Sequence, residues 1–152
     1  MSLFFTSPRR EPHDPRRSRG LAAVEFVITI PVLLLVMLAV AELGRAFVQY
    51  DTLSYSIRNS ARFVSENAIE GTTGVVNISE TVATQARNLA VFGNEGGTGD
   101  AALPGFTPGQ VEVVNAGNNN VEVRAAYPYQ PMIGTILPVF PMRITVTMRA
   151  IS

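Results

Sequence analysis

The sequence predicts an α+β protein in which a long N-terminal helix precedes a second helix and a small antiparallel three-stranded sheet. Three observations support this prediction. An apolar run from Leu21 to Ala41 carries a single charge, an apolar stripe at steps of three and four residues continues beyond it, and the C-terminal part alternates apolar and polar residues. The first two indicate one long helix, and the third indicates strands.

The N-terminal 20 residues are rich in Arg, Pro and Ser, and we interpret them as a solvated, disordered tail. Five Arg and two acidic residues precede Leu21, whereas seven Arg and ten Asp and Glu follow. A basic excess before an apolar helix is typical of the side that remains in the cytoplasm. The mildly acidic remainder argues against nucleic-acid binding.

The long helix is predicted over residues 21–67. Its first part, Leu21–Ala41, has the roughly 20 apolar residues that cross a bilayer core of about 30 Å, so we expect it to span the membrane to about residue 41. Pro31 predicts a bend within this part. The second part is amphipathic. Its predicted apolar stripe consists of Leu43, Phe47, Tyr50, Leu53, Ile57, Ala61, Val64 and Ala68.

The elements after the long helix follow from local signals. Gly71–Gly74 predicts a break, Ser79 can cap a second helix, and Gly93 can end it. A loop rich in Gly and Pro runs from Gly93 to Pro108. Three strands are then predicted around Val111–Val113, Val121–Tyr127 and Ile144–Met148, separated by a turn at Asn115–Asn120 and a packed loop at Pro128–Pro141.

The stripe of the long helix is the expected cover for the apolar face of the sheet. We therefore expect a shared core, and its members would be Phe47, Ile57, Val64, Val123 and Val146. For the aromatic residues Tyr127, Tyr129 and Phe140 we favour packing in the core and loop over an exposed contact surface.

The residue types for most catalytic chemistry are missing from the sequence. There is no Cys, and the one His is His13 in the N-terminal tail. No nucleophile–base pair or metal-ligand cluster is visible in the pattern. We therefore expect no enzymatic activity, no bound metal and no cofactor.

The residues from Gly20 to Glu25 admit three interpretations. The basic region, the apolar core and Ala39-Val40-Ala41 fit a secretory signal peptide cut after Ala41. A plain membrane anchor with Glu25 reaching the headgroups is the second. The third, which we favour, is a leader cut between Gly20 and Leu21, because a Gly before the cut gives a peptidase unhindered access. Glu25 then becomes the fifth residue of the mature chain, where its carboxylate can pair with the α-amino group of an adjacent subunit.

The chain resembles the TadE-like pseudopilins of the tight-adherence (Tad) pilus system. The resemblance lies in Gly20-Leu-Ala-Ala-Val-Glu25-Phe26, in Pro31 with its run of Leu, and in Glu42-Leu43-Gly44-Arg45. It continues through Ser60-Ala61-Arg62, Val123-Arg124 to Pro131-Met132-Ile133-Gly134, and Thr145-Val146-Thr147-Met148-Arg149. Residues 70–108 match no motif of this kind.

The resemblance implies a pilin-like minor pilin that is required for pilus biogenesis, and hence for adhesion and biofilm formation, and that has no catalytic activity. It implies a cytoplasmic leader at 1–20, the helix at 21–67 and a periplasmic α+β domain at 68–152, held in the bacterial inner membrane. The implied partners are other pilin-like subunits, the prepilin peptidase and the inner-membrane pilus platform. The processing residues would be Gly20, Leu21 and Glu25. A secreted periplasmic binding domain, released by signal peptidase after Ala41, remains the alternative.

Overall fold

The computed structural model describes residues 15–69, 75–132 and 138–151, with the side chains of residue 20 and of residues from 22 onward. Its elements, in chain order, are helix α1 (Pro15–Asn67), helix α2 (Glu80–Phe92), a short 3-10 helix (Pro108–Gln110), and strands β1 (Val111–Gly117), β2 (Asn120–Tyr129) and β3 (Phe140–Arg149). The predicted α+β class, with a long helix, a second helix and a three-stranded antiparallel sheet, is confirmed. Residues 1–14, the whole of the predicted break at Gly71–Gly74, part of the Pro128–Pro141 loop and residue 152 lie outside the described residues.

Helix α1 begins earlier than the predicted residue 21. Its first residue is Pro15, so residues 15–20 are helical and are not the disordered tail that their composition predicted. Proline is favoured at the first helical position because its φ is already helical and its missing N–H would have no partner there. The helix continues through Pro31 and Gly44 to Asn67.

Helix α2 has the two caps that the sequence predicted. The Ser79 side chain accepts a hydrogen bond from the backbone N–H of Val82 at 3.3 Å. Gly93 ends the helix in the left-handed conformation, at φ 71°, and its N–H donates to the Leu89 carbonyl at 3.0 Å. Where α1 meets α2, the buried Ser60 hydroxyl donates to the Ala86 carbonyl at 2.8 Å.

The sheet has the order β1-β2-β3 with both pairs antiparallel, and β2 is central. Strand β1 runs on to Gly117, so the turn is shorter than the predicted Asn115–Asn120. Asn118 and Asn119 form it at φ 51° and 62°, the positive values that the tight turns of hairpins require. Val123 lies opposite Val113 on one side and Val146 on the other, so the predicted alternation places these residues on one face.

The core lies between that face of the sheet and the two helices. Its fully buried members include Leu53, Ile57, Ala61 and Val64 from α1, Ala86, Ala90 and Val91 from α2, and Val121, Val123, Tyr127 and Tyr129 from β2. The prediction that the stripe of α1 covers the sheet is therefore confirmed from Leu53 onward.

The same prediction is wrong for the first part of the stripe. Phe47 is 65% exposed, and Leu43 and Tyr50 are also exposed. Gln49, which lies off the predicted stripe, is buried in their place. Val146 is only half-buried, because β3 is an edge strand. Steps of three and four describe a helical face about 100° wide but do not tell which neighbour covers each turn of it.

The chain divides into two compact units, with the division between Val40 and Ala41. In the first unit, the described side chains from Ala22 onward are exposed, except that Ile30 is half-buried. One helix, at Ala22–Asn67, is long and apolar enough to cross a membrane, and none of its most apolar stretch is buried in the protein.

Candidate functional site

The predicted processing residues lie on the first part of α1. Gly20 is exposed, and a Cβ added there would meet no other atom within 4 Å. The backbone at residue 21 is helical, and its side chain lies outside the described part. Glu25 is exposed, and its carbonyl oxygen accepts a hydrogen bond from the Thr29 hydroxyl at 2.7 Å. Within the described part of the chain, therefore, no packing contact requires a glycine at this position.

A second set of polar groups lies in the other unit, where α1 packs against the end of β2. We call it the Glu42 cluster. It consists of Glu42 and Arg45 on α1, Tyr129 at the end of β2, and the backbone of Gln130 and Met132. Glu42 is only 7% exposed, which is unusual for a carboxylate and requires partners.

The partners of the Glu42 carboxylate are hydrogen-bond donors on three sides. The Tyr129 hydroxyl donates a short hydrogen bond to Oε1. The Met132 backbone N–H donates to Oε1 at 3.2 Å and to Oε2 at 3.3 Å. An Arg45 guanidinium nitrogen lies 3.9 Å from Oε1. The buried charge is therefore both hydrogen-bonded and paired.

Arg45 joins the same cluster to the backbone and to the aromatic ring. Its guanidinium donates to the Gln130 carbonyl at 3.2 Å and lies 5.6 Å from the centroid of the Tyr129 ring. Burial, and then the hydrogen bond to Glu42, raise the pKa of Tyr129 to about 12. The phenol therefore stays protonated at neutral pH and is held as a donor to the carboxylate.

A parallel contact lies two turns further along α1. The Tyr127 hydroxyl lies 3.2 Å from Gln49 Oε1 and 3.0 Å from the Pro104 carbonyl oxygen, and these two acceptors share its single proton. Burial raises the pKa of Tyr127 as well. Glu42 and Gln49 are seven residues apart on one helical face, and Tyr127 and Tyr129 are two residues apart on one strand face. The two phenol contacts therefore fix the register between α1 and β2.

Sequence reasoning missed the role of this cluster, although two signals were present. Glu42 and Arg45 belong to one of the segments that carried the family resemblance, and Glu42 and Gln49 share a helical face with Leu53. For Tyr127 and Tyr129, the favoured prediction of packing is confirmed, since both are buried. Phe140 is 42% exposed, and its ring contacts that of Tyr129 with centroids 5.0 Å apart and the ring planes tilted by 39°.

No part of the described chain shows an arrangement suited to covalent chemistry. Within residues 15–69, 75–132 and 138–151 there is no group of three or more His, Asp and Glu that could hold a metal ion. An open cleft of about 860 Å³ lies between α2 and the start of β1, but its arginine, Arg87, is already paired with Glu80 at 2.8 Å. The Glu42 cluster and the Tyr127 contact can instead hold the sheet in a fixed position on α1.

Comparison with known proteins relates the N-terminal part of the chain to a family. A family model described as TadE-like protein matches residues 20–62, which is less than a third of the chain. No curated protein and no solved structure matches the sequence. The matched segment begins at Gly20 and includes Glu25, Glu42 and Arg45. It ends at Arg62, in the part of α1 that packs one face against the core.

Proposed function

We propose that this chain, whose residues 20–62 match a TadE-like family model, is a membrane-anchored pseudopilin that helps to assemble a Tad-type pilus by associating with other subunits. TadE-like pilus proteins are structural proteins associated with the Tad pilus. The observation that carries the proposal is that the matched segment coincides with an exposed, membrane-length apolar helix with one carboxylate near its start.

The orientation that we propose follows from charge. Five Arg precede residue 21 against two acidic residues, and basic residues flanking a span remain on the cytoplasmic side. The C-terminal domain would then lie in the periplasm, and the leader would face a prepilin peptidase at the inner membrane. The pilus platform and other pilin-like subunits are the proposed partners.

Gly20 supports cleavage after this residue. The fold leaves open space around it, so a packing requirement does not explain the glycine. Glycine in a helix is about 1 kcal/mol less favourable than Ala, so the helix unwinds more easily around the bond that would be cut. A peptidase that needs an extended, unhindered backbone would gain from both properties.

The cleavage test introduces the same side chain, valine, at two positions that are three residues apart. We expect Gly20→Val to leave an uncut precursor in the membrane, whereas Ala23→Val is cut as the wild type is, because Ala23 is also exposed on α1 but lies beyond the cut. N-terminal sequencing of the mature protein should begin at Leu21. A mature terminus at Glu42 in the soluble fraction would instead support the secreted domain, an alternative favoured by the compact unit that begins at Ala41.

Glu25 is the proposed pairing group. Its carboxylate is exposed on the apolar helix, where an unpaired charge in lipid is costly. The new α-amino group of a neighbouring subunit, with an ordinary pKa of about 7.7–8.0, is charged at neutral pH and can offset that cost. Association would therefore be favoured over the isolated subunit.

The pairing test uses the isosteric variant. We expect Glu25→Gln to insert and to be cut normally, but to give fewer crosslinks to partner subunits and fewer pili, with Glu25→Asp intermediate because its side chain is shorter. Cleavage is measured in the same strains, since an uncut chain would show the same defect. Normal crosslinking and wild-type pilus numbers for a cut Glu25→Gln chain would rule out charge pairing.

A further inference from the structure

The second unit exposes apolar side chains around a groove between its first turns of α1 and the start of β3. Leu43, Phe47 and Tyr50 of α1 face Phe140 and Met142 of β3 across a groove of about 480 Å³, and Arg143 lies at its rim. We call these six residues the basal surface. Beside it, Met132 is 79% exposed and Val139 is 60% exposed. Apolar patches of this kind on a protein surface mark a contact with a partner or a membrane.

We propose that the basal surface lies in the headgroup layer of the membrane and binds anionic phospholipid, with acyl carbon against Phe47 and Phe140 and the lipid phosphate at Arg143. This inference rests on the proposed membrane anchoring and extends it to a part of the folded domain. Three observations favour lipid as the occupant over a second protein chain.

The first observation is the distribution of exposed apolar residues around α1. Leu43, Phe47 and Val48 are all exposed, and at 100° per residue Val48 lies about 140° around the helix from Leu43. A helix that packs on one protein surface buries an apolar stripe of about 100° or somewhat more. A wider apolar arc is what a surrounding lipid layer accommodates.

The second observation is where the charges lie along α1. Between Glu25 and Asp51 the only charged residues are Glu42 and Arg45. Glu42 is buried, and Arg45 bonds to the Gln130 carbonyl, so both are occupied within the Glu42 cluster. The cluster thus buries one of these charges and engages the other, whose side chain is 31% exposed, in contacts within the domain.

The length of the stretch between Glu25 and Asp51 fits the same conclusion. Residues 26–50 span about 37 Å as a helix, at 1.5 Å per residue. The hydrocarbon core is about 30 Å thick, and the headgroup layers bring the total to about 40–45 Å. The last residues before Asp51, which include Phe47 and Tyr50, therefore fall at headgroup depth, where aromatic residues such as Tyr are enriched.

The third observation is the charge at the rim of the groove. Arg143 is exposed on the outer face of β3, and no ion pair found among the described residues involves it. A guanidinium matches a phosphate in both charge and geometry. Beside an apolar groove it gives the arrangement that an anionic phospholipid requires.

The experiment uses the full chain, cut or uncut, reconstituted in vesicles of phosphatidylcholine and phosphatidylglycerol. The protein has no Trp, so one introduced Trp reports on one place. Phe47→Trp tests the basal surface. Tyr55→Trp is the control, because Tyr55 is an equally exposed aromatic residue on α1, 68% against 65%, but lies beyond Asp51.

We expect phospholipid with brominated acyl chains to quench Phe47→Trp fluorescence at least about twofold more than Tyr55→Trp, since the two positions are about 12 Å apart along the helix. Equal quenching of the two variants would overturn the proposal. The proposal would also be overturned if Phe47→Trp were protected from quenching at a low lipid-to-protein ratio and lost this protection as the ratio was raised. That result would mean that a second copy of the chain covers the surface when the protein is concentrated. Melting curves confirm that each variant is folded.

A second measurement tests the phosphate contact. With Phe140→Trp as the reporter, brominated phosphatidylglycerol should quench more than brominated phosphatidylcholine at the same mole fraction. Arg143→Gln should reduce that preference about fivefold, and Arg58→Gln, a change of an exposed Arg on α1 beyond the groove, should leave it unchanged. A preference that survives Arg143→Gln would refute the anionic site. Neither readout involves pili, so failure of the Glu25 pairing mechanism and failure of the lipid surface are separate results.

Discussion

Removing the Glu42 carboxylate is the perturbation whose effect on stability follows most directly from the structure. The Glu42→Ala change leaves the Tyr129 hydroxyl and the Met132 N–H without their acceptor. The nearest remaining acceptor for the phenol is the Glu42 carbonyl oxygen, at 3.5 Å, which is at the limit of a hydrogen bond. The buried Tyr129 hydroxyl, left without its acceptor, costs about 2 kcal/mol. The Met132 N–H can bind water instead, because Met132 is 79% exposed, so the free energy of unfolding should fall by about 2 kcal/mol in all.

The assay is a thermal melt of the full chain in detergent, followed by near-ultraviolet circular dichroism. All four Tyr lie beyond residue 41, so the signal reports on the C-terminal unit and not on the apolar segment. For a domain of about 100 residues, 2 kcal/mol corresponds to a fall in Tm of roughly 8–10 °C. Glu42→Gln keeps one oxygen acceptor and should cost about 1 kcal/mol.

The matched control is Glu66→Ala on the same helix. Glu66 is exposed and pairs with Arg62 at 2.9 Å, an arrangement worth about 0.3–0.5 kcal/mol. Its loss should change Tm by about 2 °C or less. If Glu42→Ala also melts within about 2 °C of the wild type, the carboxylate does not hold the two donors, and the anchoring role of the Glu42 cluster is wrong.

Two further predictions concern neighbouring parts of the domain. Phe47→Ala should change the Tm in detergent by less than about 2 °C, because the ring is exposed. Leu53→Ala should lower the free energy of unfolding by about 2–5 kcal/mol, because Leu53 is fully buried. Similar Tm shifts for the two variants would contradict the burial pattern. The Tyr129 pKa of about 12 in the folded state exceeds the ordinary value of about 10, so the folded state retains a proton that the unfolded state releases. Stability from this group is therefore complete below about pH 10 and is lost as the pH rises towards 12. In melts across this range, Tyr129→Phe should lose Tm less steeply than the wild type, and an unchanged slope would argue against the shifted pKa.

Local sequence signals were sufficient where the structure depends on local chemistry. Helix α2 is capped by Ser79 and Gly93 as predicted. A side-chain acceptor satisfies backbone N–H groups at the start of a helix, and a left-handed residue satisfies carbonyl groups at its end. The alternation of β2 placed Val121 and Val123 in the core, because a strand has only two faces. The start of α1 at Pro15 was missed, because composition indicated a tail where the backbone is helical.

Periodicity was insufficient where burial depends on which element lies opposite. Leu43 and Leu53 both belong to the predicted stripe, yet Leu43 is 57% exposed and Leu53 is fully buried. Val146 alternates as regularly as Val123, but it lies on the edge strand β3 and is only half-buried. The apolar pattern states that a face avoids water and does not say whether protein or another medium covers it.

The sequence by itself determined the long helix, the membrane-length apolar segment with its single carboxylate at Glu25, the second helix and the antiparallel sheet. These depend on the length of the apolar run, the positions of the charges and the side-chain period, which can all be read from short stretches of the sequence. Only the tertiary structure decided that Glu42 is buried against Tyr129 and that Phe47 is left exposed. The physical reason is that a buried carboxylate is tolerable only beside its donors, and the hydroxyl that serves it is brought there by a strand 87 residues away along the chain.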